Sequence, residues 1–179
     1  MSLPRNKLLA ALPPGELAIL LPMLDAMELA QHRVLHHRGA PIAGLLFVES
    51  GCVSLLASLE DGEGVEAAAV GHEGLVGMPL LLGGTRAELH AVVRRPEGGL
   101  HLPAGLLNGT MERLPRLRRL LARYVLARHV HATQLSACDG RHGIVQRLAR
   151  TSLTVHDHAD GQAVPMTQEI LAMSLGGRG

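Results

Sequence analysis

GHEGLVGMPLLLGGTRAELHAVV, residues 71–93, holds glycines at 71, 74, 77, 83 and 84, an apolar run between them, and one arginine, Arg86, just past the last pair. Glycine lets a backbone turn tightly at positive φ without a Cβ clash. Successive turn N–H groups can also form an anion nest, to which a guanidinium adds charge and a fork of donors. The residues therefore allow two readings: a cradle for a phosphate, or a turn between two strands.

The flanking sequence sets that stretch in a β-rich region. Between residues 28 and 102, RVLHHRG, IAGLLFVESG, CVSLLASLED, GVEAAAVG, AELHAVVRR and GGLHLP are short apolar runs parted by Gly, Pro or Asp. Turn signals about 8–12 residues apart mark an all-β sandwich or barrel. EDGEG at 60–64 predicts a hairpin turn, because Asp-Gly tolerates the positive φ such turns need. Ahead of this region, residues 6–27 predict two short amphipathic helices split at Pro13-Pro14. Residues 104–109 read as a link.

Beyond residue 110 the character changes. No Gly or Pro occurs from residue 116 to Ala137, which predicts one long helix from Pro115. At about 1.5 Å per residue it spans about 35 Å. Leu114, Leu117, Leu121, Tyr124, Leu135 and Cys138 keep a 3–4 spacing that Arg128 and His131 interrupt, and Ala127, Val130, Gln134 and Ala137 form a second stripe. Two usable faces let the helix pack on its own sheets and on a second copy of itself; the alternative is a plain core helix. The pairing face is assigned to Leu117, Leu121, Tyr124, Arg128 and Leu135. After Asp139-Gly140 a second helix is predicted over 144–159, then a short one over TQEILAMSLG, capped by Thr167.

Composition narrows the classes of function. The chain has 179 residues, 47% of them apolar, so a sizeable core is within reach. No run is long and apolar enough for a membrane helix, and the N-terminus lacks a signal-peptide pattern. Two distant cysteines, Cys52 and Cys138, argue for a cytoplasmic protein without a disulfide framework. Phe47 and Tyr124 are the whole aromatic complement, too few for base stacking on single strands. Residues 1–110 carry 7 Lys/Arg against 11 Asp/Glu, a net −4, whereas residues 111–179 carry 10 Arg against 5 Asp/Glu, a net +5. An acidic front and a basic back suggest two modules, the second suited to a polyanion or simply well solvated.

Four stretches in this order, FVESGCVSLLASLEDG (47–62), VGHEGLVGMPLLLGGTRAELHAVV (70–93), SACDGRHGIVQRLAR (136–150) and VPMTQEILAMSLG (164–176), resemble the Crp/Fnr family of bacterial transcription regulators. The resemblance covers nearly the whole chain. It implies an α+β fold: an N-terminal β-roll (jelly-roll, cyclic-nucleotide-binding-like) flanked by short helices over 1–110, a dimerisation helix over 111–138, and a partial helical winged-helix domain over 139–179. It also implies a homodimer, DNA as a partner, and a small-molecule effector whose identity is open.

The same resemblance makes residues 71–93 the phosphate-binding cassette, with Gly74, Gly77, Gly83, Gly84, Arg86 and Ala87 as its matching positions and Thr133 of the long helix near the base. In cyclic-nucleotide binders a Gly-Glu pair opens the cassette and an Arg followed by Ser or Thr closes it. Here Gly74 precedes Leu75, Glu73 lies one place early, and Ala87 stands where the hydroxyl belongs. Each lost charge-assisted hydrogen bond is worth about 1.5–3 kcal/mol, so two losses weaken binding on the order of a thousandfold. Cyclic AMP is therefore not expected to be held by the usual contacts, and no cofactor is assigned. The plainer alternative pairs Arg86 with Glu73 or Glu88.

TQEILAMSLG resembles the first helix of a helix-turn-helix, with Thr167, Gln168 and Arg178 as residual DNA contacts. Only Gly177, Arg178 and Gly179 follow Gly176, so the recognition helix is expected to be missing and DNA binding weak or lost. A truncated regulator and a DNA-blind dimer partner of longer relatives both fit. A cupin-like metalloenzyme is the remote alternative, with His72, Glu73, His90 and His101 as its only ligand set, and no metal site is assigned. HExxH, GxSxG and P-loop patterns do not occur, which speaks against an enzyme.

Overall fold

The computed structural model describes residues 3–58 and 64–157. Two short helices, α1 (Lys7–Ala10) and α2 (Pro14–Leu20), lead through a 3-10 turn, Leu21–Met23, into the strands β1 (Asp25–Leu29), β2 (Val34–His36), β3 (Gly44–Val48), β4 (Cys52–Ser58), β5 (Gly64–Val70) and β6 (Leu75–Val76). A second 3-10 turn, Met78–Leu82, precedes β7 (His90–Arg95) and β8 (Glu97–Pro103), and three helices follow: α3 (Ala104–Arg113), α4 (Pro115–Asp139) and α5 (Ile144–Asp157). The strands form two antiparallel sheets, β1-β8-β3-β6 and β2-β7-β4-β5, which do not close into a barrel. The fold is α+β, a β-roll with helices on one side.

β3 explains the layering. All five of its residues, GLLFV, are buried. Alternate side chains of a strand point to opposite faces. Leu45 and Phe47 join Leu9, Leu20, Leu102, Leu117 and Leu121 in a helix-facing core. Leu46 and Val48 join Val53, Val70, Ala91 and Val93 between the two sheets. A run apolar throughout is what a strand covered on both faces requires.

The N-terminus is stitched to this frame by Asn6, which is fully buried. Its Nδ2 donates to the carbonyls of Val48 and Gly74, both at 2.8 Å, and its Oδ1 accepts from Leu8 N and Leu9 N, capping α1. A second long-range tie holds the long helix. Pro115 has no N–H, and Arg118 N already donates to Leu114 O. The two amides left at the start of α4, Arg116 N and Leu117 N, donate to the Glu16 carboxylate at 3.0 and 2.9 Å.

Two sequence expectations are corrected. The second N-terminal helix does not run to residue 27: Asp25–Leu29 is a strand, paired from Asp25↔His101 to Leu29↔Glu97 with β8. Residues 104–109 are not a link but the first part of α3, whose exposed Gly105 and Gly109 hide its pattern while Leu107 and Thr110 bury against the core. The long helix and its successor lie where the sequence put them, and β4 and β5 pair antiparallel. The expected hairpin turn at 60–64 and the whole of TQEILAMSLG fall outside the described residues, apart from Gly64 at the start of β5.

Candidate functional site

A cleft of about 1120 Å³ opens between the β4–β5 face, the 75–89 stretch and the helices α4 and α5. The stretch that opened the sequence reading forms its floor and rim. β6 leads into the 3-10 turn, which is bracketed by Gly77 and Gly83 at φ 100° and 83°. A Cβ at Gly77 would sit 2.5 Å from Gly44 O, so glycine is required there. Three amides of this stretch are already engaged: Gly84 N donates to Pro79 O and Gly83 N to Leu80 O within the turn, and Ala87 N to Ala40 O across to the neighbouring segment. This part of the loop is built as a turn between strands, with those donors turned away from an anion.

Arg86 follows from the same pairing. Residues 85–87 run beside 39–42, with Ile42 N on Thr85 O and Gly39 N on Ala87 O. The pleat turns Ala87 inward to the cleft and Arg86 outward. The Arg86 guanidinium donates through Nη1 to the Gly39 carbonyl at 2.6 Å. It does not line the cleft, and its bond is to this carbonyl rather than to Glu73 or Glu88. Gly77, Gly84 and Ala87 line the cleft; Gly74, Gly83, Arg86 and Thr133 do not. Gly74 serves the helix instead, because Tyr124 Oη lies 2.5 Å from where its Cβ would stand. Thr133 lies nine residues past Tyr124, about 180° around the helix, and its hydroxyl bonds back to His129 O.

The stripe on α4 reads as one continuous surface with two uses. Leu114, Leu117 and Leu121 are at most 1% exposed, all within the helix-facing core. Tyr124 comes next, taking a hydrogen bond from Leu75 N at 3.2 Å. Arg128, His131 and Leu135, at steps of four, three and four, line the cleft. The polar residues that interrupt the pattern stand where the helix leaves the core. Of the residues assigned to the pairing face, Leu117 and Leu121 are buried within their own chain, and Tyr124, Arg128 and Leu135 border the cleft. The large exposed apolar side chains of α4 are Leu126 and Val130, 62% and 58% exposed. Val130 belonged to the second stripe in the sequence.

The electrostatics of the cleft are uneven. Glu66 Oε2 accepts from Ser54 Oγ and lies 2.6 Å from Arg94 Nη2, an ion pair rather than an aligned hydrogen bond. At the far end Asp139 Oδ1 is 2.7 Å from Arg150 Nη2 and 3.3 Å from Arg147 Nε, joining α5 to the end of α4. Burial raises the Tyr124 hydroxyl above its ordinary pKa, against the opposing pull of Arg128. Burial lowers His131, and the nearby Arg128 and Arg150 lower it further. His36, at the cleft's edge, is lowered by burial and then by His90 and His37.

His72, Glu73, His90 and His101 do not form a site. His90 contacts Ser58 Oγ at 3.0 Å and stacks edge-on with His37. Glu73 accepts from Gly71 N. Among the described residues no cluster of His, Cys, Asp or Glu is placed to hold a metal ion, and no helix is long and apolar enough to cross a membrane. Thr167, Gln168 and Arg178 lie outside the described residues.

No protein-family model and no curated protein matches the sequence. Solved structures do. The c-di-GMP responsive global regulator CLP of Xanthomonas campestris superposes at TM-score 0.78 with 17% identity, covering 93% of this chain and 86% of that one. The N-terminal domain of a transcriptional regulator from Streptomyces coelicolor is 28% identical at TM-score 0.55, over 74% of this chain and 91% of that one. A chain from Eubacterium rectale described as a transcriptional regulator of the Crp/Fnr family gives TM-score 0.74 at 16% identity, over 96% and 81%. The chain has the fold of Crp/Fnr regulators and of cyclic nucleotide-binding domains, and these solved structures are regulators rather than enzymes.

Proposed function

We propose that this chain is the dimeric, effector-sensing part of a Crp/Fnr-type transcription regulator, acting in the cytoplasm and without catalysis. The observation that carries the reading is the two-sidedness of α4. One face lines a cleft with the β-roll, the other exposes Leu126 and Val130, and the C-terminal end is tied by Asp139 to α5. A ligand in the cleft would favour one setting of α4, and thereby one arrangement of two paired helices and of the α5 segments they carry, a population shift rather than a push.

Cyclic AMP is a poor candidate for that ligand, because Arg86 is turned onto Gly39 O and Ala87 brings no hydroxyl. DNA contacts by the basic half are expected to be to phosphates, which position without specifying and fade with salt. Sedimentation at micromolar concentration should give a dimer, and Leu126→Glu with Val130→Glu a folded monomer. A monomeric wild type would end the dimer reading. Anisotropy with the promoter of its own gene and a scrambled duplex should show weak, equal binding lost at physiological salt.

A further inference from the structure

Among the described residues the cleft pairs a largely hydrocarbon lining with one half-buried charge that has no counterpart. Leu55 and Ala68, cross-strand neighbours on one face of β4 and β5, line it, and Met78 and Leu82 border it as well. Most charges bordering it already have a counterpart: Glu66 has Arg94, and Arg150 has Asp139. Glu88 is exposed at the rim. Arg128 is half-buried, and among the described residues it makes no ion pair or hydrogen bond.

A guanidinium against apolar walls feels a lower effective dielectric than one in water, so an anion reaching it is held more firmly. Its planar fork matches the two oxygens of one carboxylate. A phosphate would look for further donors, and the turn amides of Gly83, Gly84 and Ala87 are engaged with carbonyls. Among the described residues Tyr124 is the only phenyl-type ring bordering the cleft, beside the imidazoles of His36, His129 and His131, and Phe47 is shut in the core.

We propose that the cleft binds an aliphatic monocarboxylate, its carboxylate on Arg128 and its hydrocarbon against Leu55, Ala68 and Met78. This rests on the reading of the cleft as the effector site of a regulator. It also gives the ligand a route to α5, because Arg150, which borders the same cleft, belongs to the ion pair that joins α5 to α4.

The test is calorimetric titration of the full chain with sodium decanoate below its micelle concentration, with decan-1-ol and inorganic phosphate as comparisons. Saturable decanoate binding, one per chain, weakened at least tenfold by Arg128→Gln and largely kept by Arg128→Lys, is the expected result. Absence of saturable binding at millimolar decanoate overturns the proposal. So does decan-1-ol binding as tightly as decanoate to the wild type, a readout that needs no variant to fold. Equal affinity in Arg128→Gln at an unchanged melting temperature overturns it as well. Sedimentation and DNA anisotropy on the same samples separate the two readings. Decanoate binding to a monomer that ignores DNA removes the regulator and keeps the ligand class, whereas a dimer that selects its promoter but ignores decanoate does the reverse.

Discussion

Glu16→Ala should loosen the long helix from its first turn. The carboxylate takes both amides that α4 leaves without a partner, at 3.0 Å from Arg116 N and 2.9 Å from Leu117 N. No side chain caps the helix locally, because Leu114 occupies the cap position. Losing a capping group costs about 0.5–2 kcal/mol, and losing a negative charge at a helix N-terminus about 0.3–1 kcal/mol. Arg116 N is on the exposed side and water can replace its bond, whereas Leu117 is buried. The expected loss is therefore about 2 kcal/mol, or about 4–8 °C in melting temperature for a chain of this size. Glu16→Gln should recover less than half, because an amide can accept only through its one oxygen and would turn its NH2 toward the second amide. Thermal unfolding followed by circular dichroism at neutral pH measures all three proteins. A Glu16→Ala protein within about 0.5 kcal/mol of wild type, the range of an ordinary surface change, would refute the capping argument.

Three further outcomes can be checked by the same unfolding experiments. Gly74→Ala should cost about 1–3 kcal/mol, because its Cβ would stand 2.5 Å from Tyr124 Oη, and adding Tyr124→Phe should return part of that loss; strict additivity in urea melts would speak against the contact. Asn6→Asp should destabilise more than Asn6→Ala, because a carboxylate would face the Val48 and Gly74 carbonyls without a proton to give; the reverse order would count against the network. His36 has a folded-state pKa below its ordinary 6.5, so the unfolded chain takes the proton first. The stability it contributes is present above pH 6.5 and is lost as pH falls from there through the folded value. His36→Gln should therefore flatten the stability profile on that acidic side relative to wild type, and unchanged slopes would argue against the shift.

Punctuation made most of the architecture legible. Gly, Pro and Asp between short apolar runs marked the strands, and the absence of Gly and Pro from residue 116 to Ala137 marked α4. α3 stayed hidden because Gly105 and Gly109 weaken helix propensity by about 1 kcal/mol each, and tertiary burial of Leu107 overrides that local signal. β1 was masked by MLDAMELA, which continues a helical spacing until pairing with β8 decides otherwise. At the site, the 3–4 spacing on α4 runs on from the core into the wall of the cleft. A stripe that packs inside the chain and one left at the surface look alike in sequence, and only exposure separates Leu121 from Leu126. The direction of Arg86 depended on an 85–87 pairing with 39–42 that no local pattern announces. Glu16 carried no signal at all, since its partners lie 100 residues away.

β3 has a consequence for how the molecule comes apart. With Leu45 and Phe47 in one core and Leu46 and Val48 in the other, neither layer can be removed while the strand keeps its place. The helical cover and the rolled sheets should thus open together as one cooperative unit, with no state in which one survives the other. The amide hydrogens of residues 45–48 should exchange with solvent only through global opening, and their exchange rates would measure the stability of the whole fold.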